Sequence, residues 1–167
     1  MNNPVLKEVS LRKMRWNLFL LSRLKIPMLG RLRPRLIRLD QEQSVVRIRL
    51  KRRSKNHLNS MYFAALAAGA DVAGGIHAFY FAEAYGKKVS FAFKSVKGQF
   101  LKRAETDVEF VCKEGPAIES FILKSMETKE RYNHIVIVNA YNTSKEIVAV
   151  FEMEISVKVY LNKKGAI

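Results

Sequence analysis

Residues 61–82, MYFAALAAGADVAGGIHAFYFA, are an unbroken run in which only Asp71 and His77 are clearly polar. Twenty-two mostly apolar residues are long enough to cross a bilayer as a helix. The composition argues otherwise. Eleven of the twenty-two are Ala or Gly, which contribute little transfer energy. Asp71 lies at the centre of the run, where a carboxylate costs roughly 2.5–3.5 kcal/mol on insertion. The remaining solution is a helix buried inside a protein, apolar on every side and therefore in need of cover all round.

The flanking sequence offers that cover as strands. Before the run, PRLIRLD (34–40) is short. SVVRIRLKRR (44–53) alternates, with Val46, Ile48 and Leu50 on one face and Arg47, Arg49 and Lys51 on the other. After it come VSFAFKSVKGQF (89–100), ETDVEFVCKE (105–114), NHIVIVNAY (133–141) and EIVAVFEMEISVKVYL (146–161). In the last of these, Phe151, Met153, Ile155, Val157 and Val159 face one way, and Glu152, Glu154, Ser156 and Lys158 the other. Asn142-Thr143-Ser144-Lys145 reads as the turn of an antiparallel hairpin joining the final two strands. Gly115-Pro116 opens a second helix with Ile118, Phe121, Ile122 and Met126 along one stripe. The pattern predicts an α+β class, with about six strands whose sheet curls against a buried central helix. It occupies one domain over 1–167, with no repeat or linker to divide it.

The formal net charge of +15 is concentrated at the front: residues 1–55 hold sixteen of the thirty Lys/Arg and three of the fifteen acids. Within this basic third, SLRKMRWNLFLLSRLKIP predicts an amphipathic helix over about 8–25, its stripe formed by Leu11, Met14, Leu18 and Leu21. Docking on its own domain accounts for such a helix, and contact with an anionic membrane surface is the other use of its chemistry. The run Leu18–Leu21 is too short for a signal peptide and is followed at once by Arg23 and Lys25. The basic strand lacks the interleaved aromatic residues that single-stranded nucleic acid requires, so nucleic acid is not the expected partner. A single cysteine, Cys112, leaves no disulfide framework and too few thiols for a structural zinc site, which fits the cytoplasm. Cys112 also alternates with Val108 and Phe110 as a core residue.

Asp71 is the candidate for chemistry. It shares a helix face with Ala64, Ala67, Gly74 or Gly75, and Ala78, so partial burial is expected. Desolvation would raise its pKa and make it a better base near neutrality. The alternative is a carboxylate paired with arginine or backbone. His77 is six residues on, about 240° around the helix, too far round to form a dyad. It reads as a packing residue, as do His57 and His134. No nucleophile elbow, zinc-protease motif or phosphate-binding glycine loop is present.

The stretch NHLNSMYFAALAAGAD (56–71) resembles the signature of hotdog-fold acyl-CoA thioesterases of the phenylacetyl-CoA thioesterase-like branch. That signature has an Asn, a Gly-Thr/Ser pair, a His-Gly-Gly at the helix start, and an acid fifteen residues after the Asn. Here Asn56, Ser60 and Asp71 occupy the Asn, Ser and acid positions. Asn59 stands for the first Gly, Tyr62 for the His, and Phe63 and Ala64 for the Gly pair. FLKRAETDVEF (100–110) resembles a less characterised thioesterase-like branch with a relaxed His-Gly-Gly, and the likeness in element order spans roughly 30–161. It implies a hotdog fold, a curved antiparallel sheet of about six strands wrapped around the long central helix and paired edge to edge in a homodimer, with a substrate tunnel at the dimer interface. The strand faces leave open whether dimers pair further into a tetramer. It also implies thioester hydrolysis of an acyl-CoA or acyl-carrier substrate, with no cofactor beyond the coenzyme A moiety of the substrate itself. Asp71, from the partner subunit, would be base or nucleophile; the Phe63 amide would polarise the carbonyl; Asn56 would orient water or carbonyl, with Ser60 beside it. Ser90 matches an assisting serine of some relatives. Lys102, Arg103 and Arg53 are the basic residues expected to meet coenzyme A phosphates. The competing expectation is a non-catalytic hotdog protein binding acyl chains or an anionic surface through its basic third.

Overall fold

The structure is a computed structural model describing residues 7–160. The chain runs α1 (Leu11–Leu20), α2 (Pro27–Leu32), β1 (Arg35–Leu39), β2 (Ser44–Ile48), α3 (Phe63–Ala84), β3 (Lys88–Phe100), β4 (Val108–Cys112), α4 (Gly115–Thr128), β5 (Tyr132–Tyr141) and β6 (Ile147–Tyr160). The six strands form one curved sheet in the order β1-β2-β4-β5-β6-β3, every pairing antiparallel. Helix α3 carries the apolar run, and the sheet wraps it. Among the described residues no helix is long and apolar enough to cross a membrane.

The small residues of α3 let the sheet come close. A Cβ on Gly69 would sit 2.2 Å from Cε2 of Phe110 on β4, and one on Gly74 would sit 2.7 Å from Cε of Met153 on β6. At these approaches the large side chains come from the strands, with Phe110, Phe151, Met153 and Ile155 all buried, while Phe81 is a large, fully buried side chain of α3 itself. Polar ties anchor the helix to the sheet: Ser44 Oγ on β2 donates to the Ala73 carbonyl at 2.7 Å, and His77 Nε2 lies 3.0 Å from the Asp40 carbonyl. His77 is fully buried and stacked on Phe81, the packing role its position predicts. Burial holds its pKa below the ordinary value, keeping the ring neutral. Cys112 is likewise in the core, its thiol pushed up to about 12 by burial.

Several boundaries differ from expectation for identifiable reasons. The N-terminal helix ends as a wide turn over Leu21–Lys25, and Pro27 then starts the separate helix α2. The basic strand stops at Ile48: beyond it, the Leu50 amide donates to Asp107 Oδ1, and Ser54 Oγ ties the 51–54 turn to the Arg49 carbonyl. Ser156, expected to face solvent, is buried beneath Arg131, whose Nη1 donates to its hydroxyl and carbonyl. The β5–β6 turn forms where expected, with Lys145 at φ 64° and the Asn142 amide bonded to the Glu146 carbonyl. Residue 161, expected to end the last strand, lies outside the described residues.

Candidate functional site

Two cavities divide the expected site residues between them. The first lies between the N-terminal arm and α3 and has a volume of about 380 Å³. Asp71 enters it from α3 beside Gly75 and Phe79, facing Met14, Asn17 and Leu21 across the gap, with Phe91 of β3 at one side. The walls are apolar except for Asp71 and Asn17. The Asp71 carboxylate is half-buried, and among the described residues it has neither a hydrogen-bond donor nor a cationic partner. Burial therefore acts on it unopposed and raises its pKa above the ordinary value. The arginine-paired carboxylate considered from sequence is not what forms. Gly75 keeps the approach open, because a Cβ there would already touch the Phe91 ring at 3.0 Å.

The second cavity, of about 510 Å³, opens at the start of α3. Asn56, Ser60, Phe63, Lys102 and Arg103 line it together. Asn56 Oδ1 accepts from the Leu58 amide at 2.9 Å and from the Ser60 amide and hydroxyl at 3.2 Å, so these two residues shape the loop that delivers the chain to the helix. Asn59 adopts φ 61°, the left-handed conformation that suits Gly and that Asn tolerates best among other residues. The substitution of Asn for Gly in the motif is thus structurally conservative. Tyr62 caps α3 without a side-chain bond, and the Phe63 and Ala64 amides have no acceptor among the described residues. The Phe63 side chain is 57% exposed and packs edge-on against Tyr62 and Phe100. First-turn amides and the helix dipole together favour negative charge at this end.

The two cavities share no lining residue. Asp71 is eight residues beyond Phe63, about 12 Å along the helix axis. One chain alone therefore does not bring the carboxylate to the free amides. Ser90 lines neither cavity; its Oγ accepts from Arg131 Nη2 at 3.0 Å, within the network that covers Ser156. Lys102 pairs with Glu146 at 2.6 Å, and Arg103 lies 3.8 Å from Glu105. Arg53 lies apart from both, in a third cleft beside β1. Asn17, an exposed residue at the edge of the Met14–Leu18–Leu21 stripe, lines the rim of the Asp71 cavity and was not anticipated. Among the described residues no group of three His, Cys, Asp or Glu is placed to hold a metal ion.

A protein of unknown function from Pseudomonas aeruginosa, described as a probable thioesterase, superposes with a TM-score of 0.74 at 17% identity, covering 92% of this chain and 99% of that one. A thioesterase from Haemophilus influenzae gives 0.68 at 12% identity over 96% and 99% of the two chains. A protein of unknown function from Chlorobaculum tepidum gives 0.78 at 10% identity over 94% and 99%. These likenesses establish the hotdog fold. No curated protein sequence matches significantly. Residues 15–159 match the profile of a family described as a domain of unknown function, DUF4442, and the chain belongs to that family.

Proposed function

We propose that this protein is a thioester hydrolase acting on acyl-CoA or acyl-carrier substrates as a homodimer. The observation that carries the reading is the Asp71 carboxylate, unpaired and desolvated in an otherwise largely apolar cavity. A structural carboxylate would be paired; an unpaired one at the mouth of an acyl-sized cavity is suited to take a proton from water near neutral pH. In this reaction Asp71 accepts a proton as water attacks the thioester carbonyl. The resulting oxyanion is met by the Phe63 and Ala64 amides, and the thiol leaves with a proton. Direct attack by Asp71 on the carbonyl, breaking the C–S bond to release the thiolate and forming an anhydride that water then hydrolyses to free acid and carboxylate, uses the same geometry.

A dimer supplies the proximity that one chain lacks. Strand β3 ends the sheet order, so one of its edges is without a partner strand among the described residues. It is thirteen residues long and carries exposed Val96 and Phe100, the kind of edge that pairs with another strand. Phe91 lines the Asp71 cavity and Phe100 lines the helix-start cavity. Antiparallel pairing of two β3 strands about Ser95 and Val96 sets Phe91 of one protomer against the partner's Phe100. That pairing brings the Asp71 half-site of one chain toward the helix-start half-site of the other, twice per dimer. The test is an acyl-CoA panel assayed with wild type and Asp71→Asn. Hydrolysis abolished by Asp71→Asn with an unchanged fold supports the reading. Activity surviving that substitution, or no turnover of any substrate, defeats it.

A further inference from the structure

The third cleft answers a different question, what the basic N-terminal third is for. It lies between α1, β1 and the 49–53 turn and has a volume of about 690 Å³. Arg15, Arg23, Arg33, Arg35, Arg49 and Arg53 line it, and no acidic residue does. An adjoining bay shares Arg23, Arg33 and Arg53 and adds Arg31. The acids nearby are engaged elsewhere: Asp40 with Arg38, Glu109 with Arg47. Among the described residues none of the cleft arginines has a carboxylate partner. Arg15 spends its Nε and Nη2 on the Leu36 and Ile37 carbonyls. Arg53 Nε is buried with no acceptor among the described residues, a donor that a bound anion would satisfy. Guanidinium groups gathered without counter-charge are suited to phosphate, which they can hold bidentately.

A second feature points to the form that phosphate takes. Beside the cleft, the arm exposes Trp16 at 59%, Leu24 at 71% and Met28 at 62%, together with Phe19. Arg12, Trp16 and Phe19 follow one another along one stripe of α1, with Trp16 stacked on Phe19, and Arg23, in the wide turn beyond the helix, brings its guanidinium 5.8 Å from the Phe19 ring. Trp16 and Phe19 alone would suit stacked bases, but neither a nucleic acid nor a soluble phosphate compound has a use for exposed Leu24 and Met28. A lipid surface uses both, because apolar side chains enter the headgroup–acyl boundary while arginines hold the phosphates.

We propose that the arginine cleft and the Trp16–Met28 ridge form a docking surface for anionic phospholipid membranes, with headgroup phosphates entering the cleft. The inference is independent of the hydrolytic reading. Its test is sedimentation of the full chain with phosphatidylcholine vesicles, with and without phosphatidylglycerol. Wild type should bind only the anionic vesicles, and added salt should release it. Each basic contact removed should lower partitioning roughly five-fold, so Arg23→Gln with Arg49→Gln should lower it roughly 25-fold. Trp16→Ala with Phe19→Ala should also weaken binding, whereas Lys113→Gln with Lys124→Gln, the same charge change on the α4 side, should not. Should the paired arginine variant melt early, Arg23→Gln alone serves, with a roughly five-fold loss. The proposal fails if the cleft variants lose no more than the α4-side control, or if phosphatidylcholine alone is bound equally well. It also fails if inorganic pyrophosphate or single-stranded DNA binds while anionic vesicles do not.

Discussion

Gly69→Ala and Gly74→Ala are the same substitution on the same helix, yet the packing predicts different outcomes. At Gly69 the new methyl would lie 2.2, 2.4 and 2.5 Å from three atoms of the Phe110 ring. The ring would have to retreat by more than 1 Å to restore ordinary contact. Phe110 is fully buried, and a planar ring cannot bend out of the way. Overpacking of this kind costs about 1–3 kcal/mol, and this contact belongs in the upper part of that range. Replacing Gly by Ala in a helix returns about 1 kcal/mol, leaving Gly69→Ala less stable by about 1–2 kcal/mol. At Gly74 the close atom is Met153 Cε, the end of a flexible side chain, with Val136 and Val138 at 3.3 and 3.4 Å. Met153 can swing aside, so the helix gain offsets the strain and the net change stays within about 0.5 kcal/mol. Urea unfolding of the two variants reads the difference directly. Adding Phe110→Leu to Gly69→Ala should recover part of the loss, since the two changes act on one contact. Equal stabilities, or Gly69→Ala the more stable, would refute the claim that the sheet's side chains set the composition of α3.

The other predictions concern the two cavities and the edge strand. Asp71→Asn should be more stable than wild type at neutral pH. Burial raises the carboxyl above its ordinary value of 3.8, so the stability present with Asp71 protonated is lost as pH rises through the raised value. The gap should amount to about 1.4 kcal/mol for each unit between the folded and unfolded pKa and close in acid, as followed by thermal melts across pH. Asn59→Gly should preserve stability, while Asn59→Val, forced into φ 61°, should lose about 1–2 kcal/mol in urea unfolding. Val96→Glu, which sets carboxylates close together at the centre of the proposed β3 pairing, should yield monomers by light scattering and no hydrolysis; a dimer that remains active would place the interface elsewhere.

Much of this architecture is legible in the sequence because most of its elements carry a period. The alternation through β6 predicts the buried row Phe151 to Val159, and the Asn142–Lys145 turn follows from turn chemistry. The breadth of the apolar run in α3, with Ala and Gly in half its positions, already implies a helix enclosed by strands. What the sequence does not carry is relation across distance. Arg131 lies twenty-five residues from Ser156, and nothing in either segment announces that the one covers the other. The end of β2 depends on Asp107, fifty-seven residues on from Leu50. Arg53 reads as one more basic residue near the helix start, but the turn at 51–54 directs it into the cleft of β1 instead of beside Lys102 and Arg103. Asn17 stands beside a stripe that is otherwise apolar, and Asp71, which lines the same cavity, is fifty-four residues away in the chain.

The central claim is that Asp71, kept without a partner in an apolar cavity, is the base for thioester hydrolysis. The direct measurement compares two titrations: the Asp71 carboxyl followed by isotope-edited NMR, and the acidic limb of kcat/KM for a turned-over acyl-CoA. The two should share one pKa, lying above 3.8, and Asp71→Asn should remove both. An Asp71 that titrates at or below its ordinary value, or a kinetic limb that survives Asp71→Asn, would contradict the account.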